Sequence, residues 1–306
     1  MRYAVEVEKA GSFSKAAERL YMNQPALSKA IRELEDSFGM AIFNRTSKGV
    51  VPTEAGAEFL KHAENILSQI EEMERLYNRD KAKRRRLYIS APRASYTSLA
   101  FCEFAKKIPS GSDIDLSYHE TSAKHAMNNV ARGVDDLAVV RCQKIYEKNF
   151  LSSLAEKELV CRPVYEFTYE LLMSRDHLLA DKEKILPDML IPFTEIVHGD
   201  SLIPFMSAPM ARQVEMESRR PRRITVYDRG SQYELLKRLT DAYMWVSPTH
   251  KEILERFKLC ERECFKRENE CRDLLIYRKG YRFSEDETLF IETLSQTVER
   301  LKKISY

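Results

Sequence analysis

Two runs of apolar positions at three- and four-residue spacing lie between residues 12 and 38, separated by a short polar break. Phe13, Ala16, Ala17 and Leu20 make the first run, with Ser12 ahead of it as an N-cap whose hydroxyl accepts from free amides. Tyr21, Met22 and Asn23 interrupt the pattern, and Asn23 is a second N-cap. Ala26 or Leu27, then Ile31, Leu34 and Phe38 make the second stripe, with Pro25 in the first turn, where its missing N–H costs nothing. Two short helices joined by about three residues form the helix-turn-helix pattern, and the paired alanines allow close helix approach. The polar face of the second helix carries Gln24, Ser28, Lys29 and Arg32, groups suited to base edges and phosphates in a major groove. Glu33, Glu35 and Asp36 crowd its far end, where they repel phosphate, but recognition helices enter a groove by their N-terminal residues. The competing reading is an ordinary solvated surface helix.

Further along, Ala41-Ile42-Phe43 and Gly49-Val50-Val51-Pro52 are short strand patterns flanking a polar turn with two cations, Arg45 and Lys48, which together predict a β-hairpin wing. Thr53 then caps a helix running from about Glu54 to about Arg79. Phe59, Ala63, Ile66, Ile70, Met73 and Tyr77 recur along it at steps of four and three, a 3.5-residue repeat that predicts a dimer seam. The alternative is an amphipathic helix packed on its own domain. A dimer suits duplex DNA, since two copies present two recognition helices to successive grooves. Charge sharpens the picture, because residues 1–86 carry 16 basic and 13 acidic side chains and hold the whole net +3, with five cations within 81–86. A basic front end suits an anion-binding module, though a solvated linker carries the same charge.

Residues 3–56, with Gly-Ser-Phe-Ser-Lys-Ala-Ala-Glu-Arg-Leu, Asn-Gln-Pro-Ala-Leu-Ser, Ile-Arg-Glu-Leu-Glu, Ile-Phe-Asn-Arg-Thr and Pro-Thr-Glu-Ala-Gly, closely resemble the N-terminal domain of LysR-type transcriptional regulators. The resemblance implies an α/β protein with an N-terminal winged helix-turn-helix (1–56), a long dimerising linker helix and basic hinge (57–86), and a C-terminal effector-binding domain (87–306) of two periplasmic-binding-protein-like α/β subdomains. It places Gln24, Pro25, Ser28 and Arg32 in the recognition helix and Arg45 in the wing or its phosphate contact. Ser14, Lys15, Asn23, Lys29 and Lys48 complete the DNA-binding candidates. Family members usually carry several more residues before Arg2-Tyr3, so the first helix is expected to be short.

The remaining two hundred and twenty residues alternate strand and helix patterns, the mark of a mostly parallel α/β sheet. Strands are predicted at 87–91, 114–119, 136–140, 170–174, 196–198, 224–227, 243–247 and 272–277, and a last amphipathic helix at about 284–303. The resemblance implies subdomain 1 at about 87–160 and 266–306 and subdomain 2 at about 161–265, with the chain crossing near 161 and returning near 265. It weakens here, because the family's Gly-rich turn before a Leu-Pro pair is absent and Trp245-Val246-Ser247-Pro248 stands near its place. In such sheets ligands lie beyond the carboxyl ends of the strands. That geometry nominates Pro92, Ser95, Tyr96, Thr121, Ser122, Arg141, His198, Ser231 and Ser247 as effector-cleft residues. Arg141 suits a carboxylate or other anion through bidentate bonding. It equally suits a salt bridge to Asp135, Asp136 or the opposite subdomain.

Composition then narrows the classes of function. With 43% hydrophobic and 10% aromatic residues, 306 residues bury a real core without disulfides or metal. No apolar run reaches the ~18–20 residues of a membrane span, and no signal-peptide core opens the chain, so a cytoplasmic setting and no membrane partner are expected. Cys260, Cys264 and Cys271 invite a metal or redox reading, but lack Cys-x-x-Cys pairing and sit among Glu261, Glu263, Glu268 and Glu270, which oppose thiolate formation. No His-x-x-x-His pair, nucleophile elbow, Walker loop or dinucleotide fingerprint occurs, so no catalytic or metal residues and no cofactor are assigned. The expected function is a sequence-specific LysR-type regulator, not an enzyme, that binds promoter DNA as a homodimer or homotetramer under an unknown small-molecule effector. RNA polymerase is a further partner allowed by the resemblance. The alternatives are a thiol redox-sensing regulator, and a solute-binding protein or enzyme whose front module serves assembly.

Overall fold

The computed structural model describes residues 1–46, 49–77, 85–199, 221–264 and 270–304. The chain divides near residue 85 into two units. In the first, α1 (Arg2–Ala10), α2 (Phe13–Arg19) and α3 (Gln24–Phe38) precede the antiparallel pair β1 (Phe43–Thr46) and β2 (Gly49–Pro52) and the long α4 (Glu54–Tyr77). Local chemistry sets the boundaries. Gly11 ends α1 and Gly39 ends α3 at positive φ, and Asn23 Oδ1 caps α3 by accepting from Ala26 N at 2.8 Å. Ser12 sits at the N-cap of α2 with extended backbone, but its hydroxyl makes no capping bond. Thr53 Oγ1 accepts from Gly56 N at 2.8 Å and donates to Ala41 O at 2.7 Å, so one hydroxyl caps α4 and fixes the approach to the wing. The first strand of the wing starts at Phe43, not Ala41, because Glu35 Oε1 captures the amides of Ile42 and Phe43.

The core of this unit gathers Val5, Val7, Phe13, Ala16, Ala17, Leu27, Ile31, Ile42, Phe59, Leu60 and Ala63. Phe59 and Ala63, expected on the dimer seam, are therefore interior residues of the module. The first turns of α4 lie across its helices, which satisfies the apolar stripe there without a second chain.

The second unit holds two lobes. The first lobe is built on a five-stranded sheet of order β4-β3-β5-β12-β6, from β3 (Arg85–Ala91), β4 (Ile114–Glu120), β5 (Leu137–Gln143), β6 (Leu159–Thr168) and β12 (Glu270–Arg278). Strands β3, β4 and β5 run parallel, and β12 is antiparallel to β5 and β6. Helices α5 (Ser95–Lys106) and α10 (Glu285–Ile304) share one core with this sheet through Phe104, Phe290 and Leu294. Helices α6 (Ala123–Ala131) and α7 (Glu147–Ala155) share another through Met127, Val130, Phe150 and Leu154. The second lobe carries the order β11-β7-β10-β8-β9, from β7 (Glu170–Ser174), β8 (Thr194–His198), β9 (Arg223–Val226), β10 (Ala242–Val246) and β11 (Leu259–Arg262). Its helices are α8 (Arg229–Arg238) and α9 (Lys251–Phe257).

The chain crosses between lobes at Tyr169, not near 161. Residues 159–168 form a full strand against β12, so Cys161 is still inside the first sheet, facing Ile276. The return falls between Arg262 and Glu270. Among the described residues no helix is long and apolar enough to cross a membrane.

Candidate nucleic-acid interface and ligand cleft

On α3 the apolar side is consumed by the core, with Leu27 at 0% and Ile31 at 2% exposure. Opposite them Pro25, Lys29 and Arg32 are exposed, and Gln24 and Ser28 are half-buried. Gln24 Nε2 donates to Ser28 Oγ at 2.9 Å, which holds the two polar readers together one turn apart. Lys29 lies 3.8 Å from Glu33, an exposed pair that water screens and that leaves the ammonium available. Ser14 and Lys15 are exposed on α2. Asn23 is exposed too, but its side-chain oxygen is committed to the cap. Arg45 lies in β1 opposite Val50. Its side chain and the whole of Lys48 lie outside the described residues.

Farther along α4 the apolar stripe leaves the core. Ile66, Ile70 and Met73 are 41%, 38% and 56% exposed, in contrast to Ala63 at 1%. Tyr77 ends the helix, its side chain outside the described residues. The described unpartnered part of the expected seam is thus Ile66, Ile70 and Met73.

In the second unit the expected cleft residues separate into distinct roles. Arg141 is a structural cation. Its Nε and Nη2 donate to both oxygens of Asp273 at 2.8 Å, because β5 and β12 place these residues directly opposite each other. The Tyr96 hydroxyl donates to the same carboxylate at 2.5 Å, and the guanidinium lies 4.6 Å above the Phe167 ring. Burial and the adjacent Asp273 charge push the Tyr96 phenol well above its ordinary pKa. Arg141 and Tyr96 are thus both bonded to Asp273 inside the first lobe. The salt-bridge reading of Arg141 holds, with Asp273 as partner in place of Asp135, Asp136 or the opposite lobe. Ser122 Oγ accepts from His125 N at 3.3 Å, and Ser231 bonds Asp228 through its amide and its hydroxyl, so both serve helix starts. Ser247 is buried at 3%, its carbonyl accepting from Thr249 Oγ1 at 3.4 Å.

Ser95 is brought to the lobe junction. Its hydroxyl accepts from His250 N at 3.0 Å and faces the Pro248 carbonyl at 3.5 Å. Pro92 and Thr121 flank it on the strand ends, where Thr121 N donates to Ala91 O, and His198 ends β8. Four side chains not nominated for the cleft, Arg229, Glu120, Arg93 and Glu261, also make contacts here. Arg229 at the start of α8 pairs with Glu120 at the end of β4 at 2.7 Å. Arg93 Nη2 donates to the Tyr227 carbonyl at 2.9 Å. Glu261 Oε1 accepts from Thr249 N at 2.6 Å. Glu120 and Arg229 each stand at the carboxyl end of a strand or the start of a helix, the positional signal that had nominated the serines. Burial pushes Glu261 up to about 8, with the Glu170 charge adding to the effect.

The thiols offer no reactive centre among those with a resolved shift. Burial pushes Cys142 and Cys271 up to about 12 and raises Cys161 and Cys260, the direction that suppresses the thiolate.

Residues 1–57 match the family described as bacterial regulatory helix-turn-helix protein, lysR family. The chain is 30% identical over 197 residues to the HTH-type transcriptional regulator CysB of Burkholderia cenocepacia, covering 62% of this chain and 58% of that protein. It is 31% identical over 182 residues to a probable RuBisCO transcriptional regulator of Cyanophora paradoxa, covering 57% and 52%. The similarity thus spans a little over half the length of these relatives. Among solved structures, a full-length OxyR variant from Pseudomonas aeruginosa superposes with a TM-score of 0.62 at 16% identity, over 97% of this chain and 93% of that one. ArgP from Mycobacterium tuberculosis gives 0.58 at 17% identity, over 97% and 95%. At such identities the likeness is one of fold.

Proposed function

We propose, from the premise that the chain belongs through residues 1–57 to the LysR family of bacterial helix-turn-helix regulators, that it is a sequence-specific DNA-binding transcriptional regulator. The observation that carries this reading is the open face of α3. Gln24 and Ser28 stand bonded to each other beside exposed Lys29 and Arg32, with the acidic residues confined to the other end of the helix. Such a face supplies base-reading groups and phosphate-binding cations on one side of a helix whose other side anchors in a core. Arg32 and Lys29, with Lys15 on α2, supply the salt-dependent part of affinity, and Gln24 and Ser28 the sequence-dependent part.

The working unit in this reading is a homodimer joined along α4 by Ile66, Ile70 and Met73, and its output is set by a small ligand at the junction of the two lobes. Ligand binding changes how the lobes meet, and so how two recognition helices are spaced. Selection of duplexes from a random pool by the purified full chain tests the DNA reading. A recurring sequence is expected, bound with steep salt dependence. Replacing Ser28 and Arg32 together by alanine is expected to abolish the preference and flatten the salt slope by about one unit. A pool that stays random after selection, or a double variant that selects the same sequence with the same affinity, refutes the assignment.

A further inference from the structure

The lobe junction holds two features whose polar groups are incompletely matched. At its edge, Arg229 spends Nη2 on Glu120 across the junction. Its Nη1 is buried with no acceptor among the described residues. Three residues on, Gln232 is 3% exposed and its Oε1 is buried without a donor among the described residues. At the strands that join the lobes, Glu261 and Glu170 lie close enough that the charge of Glu170 disfavours that of Glu261, and Glu263 acts the same way on Glu170. Among the described residues no cation offsets the burial of either Glu261 or Glu170, and the bond to Glu261 comes from a neutral amide. Glu261 is tied to the same junction through Thr249 and His250, whose amides donate to Glu261 Oε1 and to Ser95 Oγ of the first lobe.

Resting on the reading of a ligand-controlled regulator, we propose that this junction takes a small zwitterion, its ammonium group against Glu261 and its carboxylate on Arg229. A desolvated carboxylate without a counter-ion is unstable unless it takes up a proton or a cation, and an ammonium supplies the cation with a charge-assisted hydrogen bond. The buried Nη1 of Arg229 is a strong donor awaiting an acceptor, which a carboxylate provides. Gln232 Oε1 accepts one further ligand N–H. A simple carboxylate forgoes the charge-assisted bond to Glu261, and a simple amine leaves Arg229 Nη1 without an acceptor. A ligand that carries both charges therefore gains at both ends, at a separation that the site selects.

The experiment is titration calorimetry on the full chain with glycine, β-alanine, 4-aminobutyrate, 5-aminopentanoate and 6-aminohexanoate, each beside its matched amine and matched acid. At least one of these amino acids is expected to bind in the millimolar range or tighter, about tenfold or more above its matched amine and acid. Because burial holds Glu261 largely protonated near pH 7, binding an ammonium expels that proton. Heats in two buffers of different ionisation enthalpy report the release. Glu261→Gln keeps the acceptor for Thr249 N, and is expected to abolish proton release and weaken binding about tenfold. Arg229→Gln is expected to weaken the amino acid while leaving its matched amine unchanged. Absence of binding by the whole series up to about 10 mM, binding of acids as strong as that of the amino acids, or unchanged proton release in Glu261→Gln overturns the proposal. The same preparation is assayed for DNA selection. A chain that selects a DNA sequence but binds none of the series fails this inference alone. A chain that binds an amino acid but selects no DNA fails the regulator reading alone.

Discussion

Asp273 is wholly buried and accepts from three donors at once, Arg141 Nε, Arg141 Nη2 and the Tyr96 hydroxyl. Such a group is worth most when one partner is removed, because the other charge is then stranded in a medium that cannot solvate it. Asp273→Ala is expected to lower the unfolding free energy by about 3–5 kcal/mol in urea titration, whereas Asp273→Leu combined with Arg141→Met is expected to recover most of the loss. A single variant as stable as the parent shows that the cation has another route to solvation. Gly56 makes a separate demand of the same kind. It lies in α4 with its Cα against the Ile42 backbone, and a Cβ there overlaps the Ile42 carbonyl. Gly56→Ala is therefore expected to cost about 1–3 kcal/mol although alanine is the better helix former, a reversal of the usual order that thermal unfolding will register. The Arg141 pair was half legible from sequence, since a lone arginine after a buried strand called for an acidic partner. Its identity was not legible, because Asp273 lies 132 residues away and only the β5–β12 register brings them together.

Among the elements, the stripe on α4 shows what a 3.5-residue repeat does and does not say. The periodicity gives the helix and its apolar face, but not which surface covers that face. The first part of the stripe is covered by the chain's own helices and only the later part is left over. The two parts are expected to respond differently to the same substitution. Ile66→Glu with Ile70→Glu is expected to leave the fold intact and shift sedimentation from dimer to monomer. Ala63→Glu is expected to unfold the module, since Ala63 packs among apolar side chains such as Val5, Leu60 and Phe59. A double variant that sediments as a dimer locates the interface elsewhere. Two strands escaped sequence reading for physical reasons. β6 is an edge strand with Pro163 beside an irregularity opposite Leu274, and proline within an apolar run argues against a strand unless it lies on an edge. β11 is also an edge strand, only four residues long, and its cysteine and two flanking charges read as a chemical motif rather than as a ladder. The crossing near 161 that the resemblance implied falls about eight residues early, because residues 159–168 continue the first sheet as β6.

For the molecule as a whole, the alternation of strand and helix announced an α/β architecture and the resemblance its two lobes, while the charged contacts between them were invisible, being contributed by separate stretches of chain. Glu261 turns that coupling into a dependence of stability on pH. Its folded-state pKa of about 8 lies above the ordinary 4.5 of the free carboxyl, so between those values the folded chain holds a proton that the unfolded chain has lost. Stability from this group is complete below about 4.5 and drains away as pH rises through about 8, at up to about 1.4 kcal/mol per pH unit. Glu170, raised by burial and by Glu263, acts in the same direction. His177 opposes them, since burial lowers its pKa and its cost of folding is relieved as pH rises toward its ordinary 6.5. Glu170 and His177 are common to the parent and to Glu261→Gln, so the difference between the two chains isolates Glu261. Urea midpoints of the parent chain are expected to fall more steeply from pH 7 to 8 than those of Glu261→Gln. Parallel curves mean that Glu261 already meets a counter-charge in the free protein, and then the junction has no need of a ligand's ammonium.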